Sequence, residues 1–167
     1  MEFTQLVLER RSCRSYIDVQ VKKEDIEDII KCALLAPSWK NTETGRYYVA
    51  LDQDTINEVY ECLPDFNKSS SKNAAYIIAT FKKGLSGDGD DNWGSYDLGL
   101  QNSYLILRAT ELGYDTLIMG LRDEDRLRKL FNIPDDEIML PVIAIGKKNG
   151  ELQVRQRKTL SEVLVVK

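Results

Sequence analysis

Five arginines lie near the two ends of the chain: Arg10, Arg11 and Arg14 in ERRSCRSY (9–16), and Arg155 and Arg157 in VRQRK (154–158). Arg10 and Arg14 stand one helical turn apart, and alternate residues of an extended segment point the same way, so Arg155 and Arg157 would project together. Forked guanidinium donors of this kind match the oxygens of a dianionic phosphate, with the Ser12 hydroxyl and nearby backbone amides as further donors. The alternative is that these are solvated surface charges, which do little. Residues 1–16 carry three arginines against two glutamates, and 147–158 five basic residues against one acid. With a net charge of −4 for the whole chain, that leaves −9 for the rest. Two compact basic segments in an acidic chain suit one or two phosphates. They do not suit a nucleic acid, whose repeating phosphates need a broad basic face.

A second candidate is APSWKN (36–41), where a proline is followed by a hydroxyl, an indole, a cation and an amide. Such groups could hydrogen-bond and cover a flat heteroaromatic ring, or simply form a helix-ending turn. The chain contains no histidine, which removes Ser-His-Asp and Cys-His nucleophiles, the usual zinc sets and the one side chain that titrates near neutrality unaided. An enzyme of this composition would take its hard chemistry from a bound cofactor. Cys13, Cys32 and Cys62 are odd in number and form no CxxC, so they read as idle or buried thiols of a reducing compartment. Asp88, Asp90 and Asn92 have calcium-loop spacing, but Trp93 replaces the turn glycine and Gly99 the bidentate glutamate, so calcium is not expected. Neither GxxxxGK[ST] nor a strand-to-helix GxGxxG occurs.

The positioning elements follow from periodicity. A helix over 2–11 carries the first arginines to its end, and an extended strap runs from Ser15 to Val21. KEDIEDIIKCALLAPS (23–38) repeats apolar residues at 26, 29, 30 and 33 and stops at Pro37. NTETG is a turn, 46–51 a short strand, and roughly 53–63 a helix closed by Pro64. DFNKSSSKN is a polar stretch, and 74–81 a buried strand. Residues 83–94 form a glycine- and aspartate-rich loop that could serve as a lid. Residues 95–112 are apolar almost all round, which predicts a central helix buried on most sides, with Asp97, Gln101 and Arg108 on one polar stripe and Gly113 as its stop. A strand over 115–120, a helix over 123–131 and a strand over 139–146 complete the body. Several connections are too short for parallel crossovers, so an α+β sheet with helices packed over it is expected.

A length of 167 residues suits a single domain, 1–167. Apolar runs are strand-sized, far below a membrane span, and no charged-then-apolar leader opens the chain. A cytoplasmic protein without membrane contact is expected.

In order and spacing, ERRSCRSY, APSWKN, DLGLQNSYLILRATELGYDTLIMG, LRKLFNIPDDEIMLPVIAIGK and VRQRKTLSEV resemble the FMN-dependent nitroreductase family over nearly the whole chain, least between 53 and 72. The resemblance implies a nitroreductase-like α+β fold, a mixed, mainly antiparallel central sheet flanked by helices, and an intertwined homodimer with FMN at the subunit interface. Carried over, Arg10, Arg11, Ser12 and Arg14 become cofactor contacts, Arg14 near the ring's N1 and C2 carbonyl. Pro37, Ser38 and Asn41 would come from the partner, Met119 and Gly120 would approach the ring through backbone, and Arg155 and Arg157 would hold the phosphate. It further implies an oxidoreductase that passes hydride from NAD(P)H through FMN to a nitroaromatic, quinone or related small acceptor, with no catalytic side chain. The alternative is a flavin-binding storage or sensor protein with little turnover. Where many relatives have a Gln-Pro-Trp-like triplet after the asparagine, this chain has, one residue further on, Glu43-Thr44-Gly45. It is also shorter than the better-known members, which reduces any lid to 83–94.

Overall fold

The computed structural model describes residues 2–87 and 93–167. Helix α1 (Phe3–Glu9) ends at Arg10, whose N–H still reaches the Leu6 carbonyl. Of the expected strap only β1 (Tyr16–Ile17) pairs. Helix α2 (Lys23–Ala33) buries Ile26, Ile29 and Ala33 along one stripe. It carries Glu24 and Asp25 in its first turn and Lys31 in its last, as the helix dipole favours. The chain leaves helical geometry ahead of Pro37 and enters β2 (Gly45–Ala50) through a tight turn. Helix α3 (Gln53–Glu61) starts at Asp52, whose carboxylate accepts the Thr55 N–H at 2.9 Å.

The polar stretch after Pro64 is a further helix, α4 (Asp65–Ser71). Its apolar content is low because its inward groups are Asn67 and Ser71; the latter donates to the Asn67 carbonyl and meets the buried Tyr76 hydroxyl at 3.0 Å. Strand β3 (Ala75–Lys82), helix α5 (Gly94–Glu111), strand β4 (Asp115–Met119), helix α6 (Glu124–Phe131) and strand β5 (Glu137–Lys148) follow. Gly113 adopts φ +77, the left-handed geometry of a helix stop.

The sheet order is β1-β5-β3-β2, with β4 also on β5, and every ladder is antiparallel. A lone parallel bridge joins Ser12 to Thr116. Alternation sorts the sheet's side chains onto two faces. Tyr76, Ile78, Val142 and Ala144 pack with Val59, Leu63, Leu127 and Ile133 beneath α3 and α6. Ala75, Ile77, Ile143 and Ile145 pack with Ile26, Ile29, Leu105 and Ala109 beneath α2 and α5. Burial on both faces explains why β3 and β5 read as unbroken apolar runs, and each fully buried Ile, Leu or Val among them contributes about 1.5–3 kcal/mol.

Two features of helix α5 go beyond what its periodicity shows. One side is open: Tyr96 is 60% and Tyr104 39% exposed. Its polar stripe also does not face solvent, because Asp97 and Gln101 are buried, whereas Arg108 pairs with Asp28 and Glu111.

Candidate functional site

The arginine loop is pinned from within. Cys13 is fully buried, its N–H donates to the Thr116 carbonyl at 2.9 Å, and its thiol donates to the Ser15 carbonyl. That anchor leaves Ser12 and Arg14 exposed on either side of it and fixes the loop along the start of β4. Arg11 donates to the Arg10 carbonyl at 2.8 Å, and Arg14 to the Ser12 carbonyl at 3.4 Å.

The two ends of the chain meet here. Burial, then the positive charge of Arg157, then that of Arg11, hold the Arg10 guanidinium below its ordinary pKa. No carboxylate lies within ion-pair distance of Arg10, Arg11, Arg14, Arg155 or Arg157 among the described residues. Arg155 is exposed, two residues from Arg157, with no hydrogen-bond partner among the described residues. Uncompensated like charges held together cost the empty fold free energy, and an anion between them removes that cost.

The same arginine loop lends Arg14 to a cavity of ≈ 350 Å³ lined also by Asn67, Ser70, Met119, Gly120 and Leu121 among others. The strand end that borders it is held from two sides. Asn67 Nδ2 donates to the Leu121 carbonyl at 3.0 Å, and Arg122 donates to the Gly120 carbonyl at 2.5 Å. Asn67 and Ser70 have no place in the sequence-based site because α4 was not expected. Their signal was present: Pro64 and Asp65 make a helix start, and a spacing of three puts Asn67 and Ser70 on one face.

Pro37 and Ser38 lie elsewhere, in a hollow of ≈ 320 Å³ with Trp39, Trp93, Tyr96, Asp97 and Leu100. The described cavities include none lined by both this set and the Arg14–Met119–Gly120 set. The turn is strained, with Lys40, Asn41 and Glu43 all left-handed at φ 48, 56 and 49. It is fastened from inside by Asp97, 2% exposed, whose oxygens each accept the Trp39 N–H at 3.1 Å and one of which accepts the Ser86 hydroxyl at 2.8 Å. Thr42 joins the same network through Ser86 and the Trp39 carbonyl.

The Glu43-Thr44-Gly45 segment is built into this turn. Thr44 is buried, and a Cβ on Gly45 would lie 1.8 Å from Gln101 Oε1, so a larger residue there would displace the buried glutamine. Of the loop 83–94, Ser86 is buried and the Trp93 N–H donates to its carbonyl at 2.8 Å. Asp88, Asp90 and Asn92, the calcium-spaced residues, lie outside the described residues, as does the middle of the suggested lid.

The profile of the Nitroreductase family matches residues 7–78 and 65–147, and the chain belongs to that family. A protein of Archaeoglobus fulgidus named "Putative NADH dehydrogenase/NAD(P)H nitroreductase" is 29% identical over 154 residues, 90% of this chain and 87% of its own. Bacillus subtilis "Putative NAD(P)H nitroreductase MhqN" is 26% identical, covering 90% of each chain. A protein of Exiguobacterium sibiricum described as "a putative nitroreductase in complex with FMN" superposes with a TM-score of 0.90 over 100% of this chain and 98% of its own, at 22% identity, and so shares the fold.

Proposed function

We propose that this chain, as one unit over 1–167, is an FMN-dependent NAD(P)H oxidoreductase that works as a homodimer and reduces a small acceptor such as a nitroaromatic or a quinone. The observation that carries it is the convergence of Arg10, Arg11 and Arg157, without carboxylate partners among the described residues, on a loop whose Arg14 lines a cavity with Met119 and Gly120. This donor set fits a flavin phosphate: two or three forked cations match a dianion, and its arrival turns a repulsive cluster into an attractive one. When bound, FMN supplies the hydride chemistry, taking a hydride from NAD(P)H and giving it to the acceptor. Arg10, Arg11, Arg157 and, beside it, Arg155 hold the phosphate, helped by Ser12. Arg14 sets a positive charge beside the ring, where it favours the reduced, more negative state. Met119 and Gly120 admit the ring's edge to the backbone. No side chain needs to act as base, in keeping with a chain that lacks histidine.

A second copy completes the site. Pro37, Ser38 and Asn41 stand apart from the arginine cavity within one chain, and would reach the partner's. Phe3 and Leu8 on α1 and Val165 and Val166 at the C-terminal end are 69, 57, 82 and 81% exposed, apolar surface of the kind that marks an interface. Among the described residues no helix is long and apolar enough to cross a membrane. The three free thiols suit a cytoplasmic setting.

The first experiment is purification followed by anaerobic addition of NADH or NADPH. The expected result is a yellow dimer whose flavin bleaches within the mixing time and recovers on adding a quinone. A colourless protein that gains no thermal stability from FMN would refute the assignment. A yellow protein that neither nucleotide bleaches would instead assign it to flavin storage or sensing.

A further inference from the structure

The turn that bears Ser38 and Asn41 is fastened from outside as well as from inside. Asn41 Nδ2 donates to Glu43 Oε1 at 3.0 Å, and the Glu43 N–H donates to Ser38 Oγ at 3.0 Å. One residue therefore engages the side chains of both Ser38 and Asn41. Its backbone is held at φ 49, which costs a glutamate what it would not cost a glycine. Nothing in the packing demands a carboxylate here: Glu43 is exposed, and the side-chain contact it makes is to Asn41 alone among the described residues.

The consequence is a defined hydrogen-bonding polarity. Ser38 Oγ, having accepted the Glu43 N–H, keeps its own proton to donate outward. Asn41, with Nδ2 turned to the carboxylate, presents its carbonyl Oδ1 to any ligand. Without the carboxylate the Asn41 amide is free to flip and can present either polarity, while Ser38 Oγ still accepts the backbone N–H of residue 43. We propose that Glu43 is a positioning residue that presets Ser38 as donor and Asn41 as acceptor for the flavin, a role that rests on the function proposed above. The strained backbone is retained because it brings the Glu43 amide and carboxylate to opposite ends of that pair.

Glu43→Gly, Glu43→Ala and Glu43→Gln separate this role from a structural one. FMN dissociation constants are measured by fluorescence titration, and thermal midpoints on the flavin-free proteins. Glycine relieves the left-handed strain while deleting the carboxylate, so Glu43→Gly should raise the flavin-free midpoint yet bind FMN about fivefold more weakly, the size of one hydrogen bond. Glu43→Ala should weaken FMN similarly, and Glu43→Gln, which keeps the acceptor oxygen, should restore affinity to within about twofold. Glu43→Gly and Glu43→Ala binding FMN as tightly as the parent would overturn the proposal, as would a midpoint that falls in step with affinity. If the parent chain itself does not bind FMN, the function proposed above fails first, and that outcome is seen before any variant is made.

Discussion

Two groups of arginines in this molecule behave in opposite ways. Around α6 and β5, Arg122 and Arg128 sit between carboxylates and carbonyls: Arg122 meets Glu124 at 2.9 Å and the Met139 carbonyl at 2.6 Å, and Arg128 meets Glu124 and the Glu137 carbonyl, both at 2.7 Å. Arg11 and Arg157 instead bring their positive charges to bear on a partly buried Arg10, with no acid in ion-pair reach among the described residues. The first group staples an α-helix to a strand. The second stores repulsion that only an outside anion relieves. Local neutralisation, more than residue type, tells a structural arginine from a binding one.

The largest expected effect is on the second group. Replacing Arg10 and Arg157 together by alanine should weaken FMN binding by about a hundredfold or more, since each makes a charge-assisted contact to the phosphate. The flavin-free melting temperature should hold or rise, because Arg10 is held below its ordinary pKa by burial and by its cationic neighbours. Folding thus disfavours its charged form at every pH where arginine is protonated, and deleting the charge removes a cost. Titration and calorimetry on the same samples check both halves.

Arg122→Ala should do the reverse. It frees the Gly120 and Met139 carbonyls and Oε2 of Glu124, whose Oε1 keeps Arg128, so a loss of about 1–3 kcal/mol in stability is expected from denaturant melts. Inorganic phosphate offers a milder contrast. At about ten times its dissociation constant it should stabilise the flavin-free parent by about 1.4 kcal/mol and leave the Arg10/Arg157 double variant unmoved. Smallest of all, Lys23→Ala breaks the exposed Lys23–Glu27 pair, 3.7 Å long, and should change stability by no more than about 0.5 kcal/mol. A shift larger than that of Arg122→Ala would upset the comparison.

Much of the fold was legible because its signals are local. Ile26, Ile29 and Ala33 announce α2, the unbroken run 75–81 announces a strand buried on both faces, and Gly113 marks where α5 stops. Helix α4 was hidden because its buried face is made of Asn67 and Ser71, whose types signal loops unless a partner such as Tyr76 is known. The burial of Asp97 and Gln101 was hidden for the same reason: their place on one stripe was plain, but not that Asp97 turns inward to hold the Trp39 amide. Both amide atoms of Gln101 lack a hydrogen-bond partner among the described residues, and we have no physical account of that.

The candidate site was legible in its chemistry and not in its geometry. The arginine types and their local spacing were plain; that Arg157 shares one phosphate with Arg10 was expected from charge and from the resemblance, since no local period encodes their approach. The wiring of Ser38 and Asn41 through Glu43 was hidden more deeply still, since it depends on left-handed backbone at Lys40 and Glu43, residue types that rarely adopt it.

The most direct test compares FMN with riboflavin, the same ring without the phosphate, binding to the flavin-free parent protein. If the converged guanidinium groups of the two chain ends grip the phosphate, FMN should bind at least about a hundredfold more tightly, and the Arg10/Arg157 double variant should lose that preference. Equal affinity of the parent for both ligands would contradict the account.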